Sequence, residues 1–211
     1  MDPLHPLLQR TDIWRGGDRS QAPYALAAAV AASGYPALDA RLPGGGWPVG
    51  ALTELLLHRP GIGELRLLLP ALARLSRQRW LVCVAPPHLL YAPALARAGV
   101  NLARVLLVDD QEPAEQLWAL EQALRSGLCG AVLAWPRTLD HRRLRRLQLA
   151  AEAGAALGFL FRPAEAIQEA SPAALRLGLN PSPTGLCVTL LKQRGGWSRA
   201  PVILEPRDAV A

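Results

Sequence analysis

A chain of 211 residues with 51% hydrophobic content has enough apolar material to bury a substantial core, which excludes disorder as its main state. The basic excess is modest, 23 Lys and Arg against 17 Asp and Glu for a net charge of +6, and every basic residue except Lys192 is arginine; this balance admits an acidic partner without demanding one. Residues such as Arg66, Pro70 and Arg74 interrupt each apolar stretch that could span a bilayer, and the polar, proline-broken start MDPLHPLLQRTDIWRGG does not read as a signal peptide, so a cytoplasmic protein is expected.

The first 35 residues read as an arm, a Pro/Arg/Gly-rich lead followed by a helix-prone stretch at 23–33 that packs on its own core or mediates self-association. From residue 50 strand-like runs at 51–57, 80–85, 104–109 and 130–135 alternate with helical stretches at 63–78, 93–100, 113–127 and 139–154. Leu117, Leu120 and Leu124 recur at helical spacing in the third of these helices, and Gly127 supplies its stop. Near-continuous apolar strands alternating with helices predict an α/β fold, a mostly parallel sheet covered on both faces. A fifth strand is expected at 156–161, then a Pro- and Ala-rich stretch with one short strand at 174–180. Runs at 186–193 and 200–206, joined through Arg194-Gly195-Gly196-Trp197, predict an antiparallel hairpin. The organisation is thus an arm (1–35), a core (36–193) and a C-terminal hairpin strand and tail (194–211). Cys83, Cys129 and Cys187 sit in apolar runs without CxxC or Cys/His spacing, so buried packing thiols are expected and no metal site.

One segment has the layout of a nucleotide loop. Residues 48–69, PVGALTELLLHRPGIGELRLLL, read as turn, strand, glycine loop and helix, the order of the P-loop pattern G-x-x-x-x-G-K-[ST]. Gly61 and Gly63 lie in that loop, but Glu64 and Leu65 follow where lysine and Ser/Thr would hold phosphate and magnesium. A carboxylate repels a triphosphate and leucine cannot ligate a metal, so no catalytic residue and no cofactor are expected.

Two basic constellations are candidate contact sites. In HRRLRR (141–146), Arg142, Arg145 and Arg146 share a helix face while Leu144 and Leu147 face the core. They form either a patch for nucleic acid or an acidic partner, or a solvated face. Lys192, Arg194, Trp197 and Arg199 surround a glycine turn, either a hairpin tip that clamps nucleic acid or binds a protein partner, or an ordinary turn whose Trp packs on the sheet edge. Asp109-Asp110 after a strand reads as a helix cap, His88 as a turn histidine, and Trp47 in GGGWPVG as a semi-exposed contact residue.

The order of these segments resembles the RecA ATPase core over roughly residues 34–195. SGYPALDARLPGGGWPVGALTEL is similar to the RecA lead-in, PPHLLYAPALARAGVNLARVLLV to its second strand, His-containing turn and helix, and EQLWALEQALRSG to the helix that follows. The resemblance implies a RecA-like fold with a degenerate P-loop. Pro87 precedes His88 where the family has its water-activating glutamate, and Trp135 closes GAVLAW where the Walker B aspartate would stand. Two families of SOS-response proteins have such a core without its chemistry. The chain resembles ImuA in its length, its loop LDARLPGGGWPVGALTELL…PGIGEL and its IWRG lead (Ile13–Gly16). That resemblance implies a non-catalytic adaptor of translesion synthesis that binds an ImuB-type inactive Y-family polymerase, with RecA, an error-prone DnaE-type polymerase and weak DNA contact as further associations. The alternative is SulA, the cell-division inhibitor that binds FtsZ.

Overall fold

The structure is a computed structural model and describes residues 29–109, 112–136, 138–193, 200–205 and 209. Its framework is an eight-stranded sheet, preceded by a two-residue ladder in which β1 (Val30–Ala31) pairs antiparallel with β2 (Trp47–Pro48). Residues 30–31 of the stretch expected as a helix are therefore strand, and residues 23–28 lie outside the described residues. The main strands are β3 (Ala51–Leu57), β4 (Trp80–Val84), β5 (Val105–Val108), β6 (Cys129–Ala134), β7 (Leu157–Pro163), β8 (Leu175–Ser182), β9 (Gly185–Gln193) and β10 (Val202–Leu204). Their order is β10-β9-β8-β3-β7-β6-β4-β5. Six neighbouring strands, β8 to β5 in that order, run parallel, and β9 and β10 close one side as antiparallel additions.

Two helical layers enclose the parallel part. On one face α1 (Pro36–Asp39), α2 (Glu64–Leu75) and α3 (Ala92–Arg97) contribute Leu38, Leu67, Leu68, Leu72 and Leu95 to a core with Leu55, Leu81, Phe159 and Leu177. On the other, α4 (Pro113–Arg125) and α5 (His141–Gly154) supply Leu120, Leu124, Leu144 and Leu147 against Leu52, Val82, Val132 and Leu160. The two-residue alternation of the strands assigns these side chains to their faces. Pro70 sits inside α2 and cannot donate to the Arg66 carbonyl one turn back; the Tyr35 hydroxyl donates to it instead, at 3.3 Å. Trp47 is fully buried, edge-to-face on Phe159 at 5.3 Å, which corrects the expectation of a semi-exposed contact residue. Aromatic packing there offers more apolar burial than a turn surface would.

The α/β layering follows the expected alternation, but the RecA-like P-loop core does not. The sheet is mixed and eight-stranded, with β8 placed on the far side of β3 from β7. The chain passes from β7 to β8 across β3 through residues 164–174, with only a short 3-10 turn at Ala164–Gln168. No helix covers the sheet there, and the irregular backbone presents carbonyls to a buried face, where each needs a donor. One buried arginine provides donors for three of them, and a second fastens the segment through its Glu169 side chain. Arg176 on β8 donates to the carbonyls of Ala166, of Ile167 (3.3 Å) and of Glu169 (3.1 Å). Arg162 on β7 donates to the Leu139 carbonyl (3.3 Å) and to the Glu169 carboxylate (2.7 Å). Between them Glu54, wholly buried on β3, lies 2.7 Å from Arg162 through Oε1 and 2.7 Å from Arg176 through Oε2. Burial opposes the charge on Arg162, but hydrogen bonds to Glu54 and Glu169 and their negative field outweigh it and raise its pKa above the ordinary arginine value.

The cysteines are free, with Cys83 and Cys129 buried and Cys187 half-buried. Burial pushes the Cys83 thiol from its ordinary 9.0 up to about 12. The folded state therefore holds the neutral thiol while the unfolded chain ionises first, so the stability advantage of the wild type over Cys83→Ala should be constant below pH 9 and shrink as the pH rises toward 12. Urea titrations of both proteins across that range measure it. Glu54→Gln leaves two arginines facing each other in a buried site and should lower the unfolding free energy by about 3–5 kcal/mol, read from the same titrations.

Candidate functional site

The loops at the carboxyl ends of the parallel strands, where α/β sheets commonly bind ligands, enclose a broad cleft of about 1070 Å³. Leu57, Val84 and Ala134 end β3, β4 and β6 at its floor, and Phe161–Pro163 does the same for β7. Trp135 leaves β6 and stacks on Phe161, centroids 4.5 Å apart with the ring planes at 4°. The walls are Pro60, Pro86, Pro87, Pro113, Pro136 and Pro163 with Leu117 and Leu139, and polar groups are few: His58, His88, Asp109, Gln116, Thr138, Arg143 and Arg162. So many prolines hold the rim loops stiff. Ala85, at the turn out of β4, adopts φ +48°, a left-handed conformation that a non-glycine residue holds only under constraint. Beyond it the loop carries Leu89 and Tyr91, 86% and 70% exposed.

The glycine loop before α2 lies at one end of this cleft and has its own anion. Glu64 Oε1 accepts the Gly61 N–H at 2.9 Å, and Gly61 and Gly63 take φ of +86° and +100°. A carboxylate at the first position of α2 also faces the positive end of the helix dipole. The loop is thus a self-capped turn, which replaces its reading as a degenerate P-loop. Leu65 packs against the core, and Gly63 faces away from the cleft, into a small hollow of about 70 Å³ shared with Tyr35, Leu186 and Leu204. Pro87 and Trp135, singled out for lost chemistry, do meet in the cleft, as apolar wall.

The basic candidates are scattered. Arg142 and Arg145 lie exposed on α5, whereas Arg146 reaches across to α4 and pairs with Glu121, which also holds Arg125 at 2.9 Å. That contact fastens two helices together while the Arg146 side chain stays 59% exposed. Asp140 caps α5, its carboxylate accepting the Arg143 N–H at 2.7 Å, which offsets arginines in a first turn. Lys192 stands at the opposite end of the sheet from the cleft, paired in register with Arg176, and donates to the Ser171 carbonyl. Arg194, Trp197 and Arg199 lie outside the described residues. The exposed loop with Leu89 and Tyr91 escaped the sequence reading; its signal was a set of apolar residues bracketed by Pro86, Pro87 and Pro93.

The fold and site define a mixed α/β protein with a largely apolar cleft and a glycine loop closed by a carboxylate. The family model described as "Cell division inhibitor SulA" matches residues 50–158, just over half of the chain. The SulA of Photorhabdus laumondii is 36% identical over 115 residues, 54% of this chain and 65% of that protein, just under two thirds of its length. The SulA of Pectobacterium atrosepticum is 33% identical over 123 residues, 57% of this chain and 73% of that protein. A crystal structure of SulA from Pseudomonas aeruginosa aligns at 34% identity over 53% of this chain and 97% of that one, with a TM-score of 0.44. The chain belongs to the SulA family of cell division inhibitors. The family is one of inhibitors and not of enzymes.

This membership overturns the ImuA assignment, and with it the translesion role and the expected ImuB-type, RecA, DnaE-type polymerase and DNA partners. Chain length and the IWRG lead carried much of that choice, and both concern residues outside the matched segment. Among the described residues no helix is long and apolar enough to cross a membrane. Glu64→Ala should free the Gly61 N–H and remove the charge at the start of α2, lowering stability by about 1 kcal/mol, the size of an ordinary cap, in thermal or urea unfolding.

Proposed function

We propose that this protein inhibits cell division in the cytoplasm by binding FtsZ, and that its contact surface is the cleft rim with the loop bearing Leu89 and Tyr91. The observation that carries the reading is where the family match falls. Residues 50–158 run from the start of β3 to the start of β7 and so include nearly all of the elements that shape the cleft. Leu89 and Tyr91 are the most exposed large apolar side chains among the described residues, and they stand on a proline-bracketed loop. An exposed leucine and tyrosine on a stiff loop lose little conformational freedom on docking, which favours them as interface anchors.

No nucleotide chemistry accompanies this role. Glu64 fills the loop amide, and Leu65, Pro87 and Trp135 supply neither metal ligand nor general base, so the chain neither binds nor hydrolyses ATP. We read residues 36–193 as the inhibitory core, 1–35 as an arm and 194–211 as a tail.

Production of the protein in dividing bacteria should yield filaments, and the purified protein should reduce the FtsZ recovered in polymer pellets. Leu89→Ala with Tyr91→Ala should weaken FtsZ binding by about 2 kcal/mol or more, roughly 30-fold, while leaving the melting temperature unchanged because both side chains are exposed. Normal cell length together with undiminished FtsZ pelleting would refute the reading.

A further inference from the structure

The two ends of the parallel strands differ in charge. Acidic side chains gather where the strands finish: Asp109 follows β5, Asp140 caps α5 after β6, and Glu165 and Glu169 follow β7. The ends where the strands begin carry arginines. Arg77 and Arg79 lie in the turn between α2 and β4, Arg104 stands directly before β5, and Arg125 closes α4 ahead of β6. Because β6, β4 and β5 are neighbours, these groups share one patch, and direct contacts join it. Arg79 donates to the Gly127 carbonyl at 2.9 Å, the Trp80 N–H donates to the Leu128 carbonyl at 3.1 Å, and the Arg104 guanidinium lies 6.0 Å over the Trp80 ring.

Part of this charge serves the fold. Both α4 and α5 bring the negative ends of their dipoles here, and Arg79 answers them through the carbonyls of Gly127, Gly154 and Ala155. Glu121 holds Arg125 and Arg146 together, a trio that keeps a net positive charge, and Glu152 on the last turn of α5 accepts from Gln148. Arg77 and Arg104 have no ion-pair partner among the described residues. Arginines alone would mark any acidic partner; the apolar members of the patch narrow the choice. Leu128 is 65% exposed in the turn between α4 and β6, and Trp80 and Leu102 are each 40% exposed on the turns that lead into β4 and β5. Large apolar side chains on neighbouring turns, among arginines with apolar stems, have the composition of a bilayer boundary, where tryptophan sits at headgroup depth and arginine reaches the phosphates. We propose that this end of the sheet docks on a membrane surface rich in anionic lipid. Trp80, Leu102 and Leu128 enter the headgroup layer, and Arg77, Arg79, Arg104 and Arg125 face the lipid phosphates. The cleft, at the opposite end of the same strands, then points away from the membrane and stays open.

Sedimentation of the full-length protein with lipid vesicles tests this, and because it needs no FtsZ it stands apart from the reading of the cleft. The wild type should pellet with vesicles of mixed phosphatidylglycerol and phosphatidylcholine, and should stay in solution with phosphatidylcholine alone. Arg77→Glu with Arg104→Glu should weaken binding about 30-fold or more, since each arginine near an anionic surface contributes about fivefold. Leu128→Ser should weaken it several-fold with an unchanged melting temperature, because that side chain is mostly exposed. The leucine variant separates a bilayer from an acidic protein or a nucleic acid, which would hold the arginines without it. A wild type that ignores anionic vesicles overturns the proposal, as does vesicle binding that the arginine variant leaves intact. Arginine-dependent binding that Leu128→Ser leaves unchanged, and that polyglutamate or duplex DNA abolishes, assigns the face to a soluble polyanion and overturns it too.

Discussion

The ion cluster of Glu54 with Arg162 and Arg176 is the constraint on which the rest of the architecture turns. A chain that crosses from β7 to β8 over β3 must lay backbone on the sheet, and here it does so in about a dozen residues without a full helix. A helix would satisfy its own carbonyls; an irregular segment cannot. Arg176 holds carbonyls of the crossover, Arg162 holds its Glu169 carboxylate, and Glu54 compensates both arginines. Glu54, Arg162 and Arg176 are each costly alone in a buried site and tolerable only together. The cluster joins three adjacent strands, so it sets where β8 lies and with it the antiparallel β9 and β10.

That placement also decides what the molecule offers to others. With the crossover fastened on one side, the carboxyl ends of β3, β4, β6 and β7 open together into one cleft, and stiff proline loops keep it open. Its floor is an aromatic stack, its loop amide is already filled by Glu64, and its most exposed neighbours are apolar. The arginines differ in role: Arg162 and Arg176 work inside the fold, Arg146 pairs with Glu121 at the surface, and Arg142 and Arg145 stand exposed beside it.

Much of the local structure was legible from residue patterns because it depends on neighbours in the chain. Strands at 51–57, 80–85 and 130–135, the α4 repeat of Leu117, Leu120 and Leu124, and the terminal hairpin all follow from periodicity and turn residues. The candidate site was legible only in fragments. Pro87 and Trp135 stand out for chemistry they lack and prove to line one cleft, while Leu89 and Tyr91 carry no mark in the sequence because apolar residues are assumed to go inside. The family assignment failed for another reason: length and terminal segments weighed in it, whereas membership is written in residues 50–158.

The sequence by itself determined the alternation of strand and helix, the two-faced apolar strands and the glutamate that denies the glycine loop to phosphate, since each depends on spacing within a few residues. Only the tertiary structure decided that Glu54 would meet Arg162 and Arg176, 108 residues away in the first case, that Trp47 would be buried on Phe159, and that Arg146 would be spent on Glu121. A charge or an aromatic ring carries no local mark of its partner. Its role is set by which strand the chain lays beside it, and that follows from satisfying the whole buried surface at once.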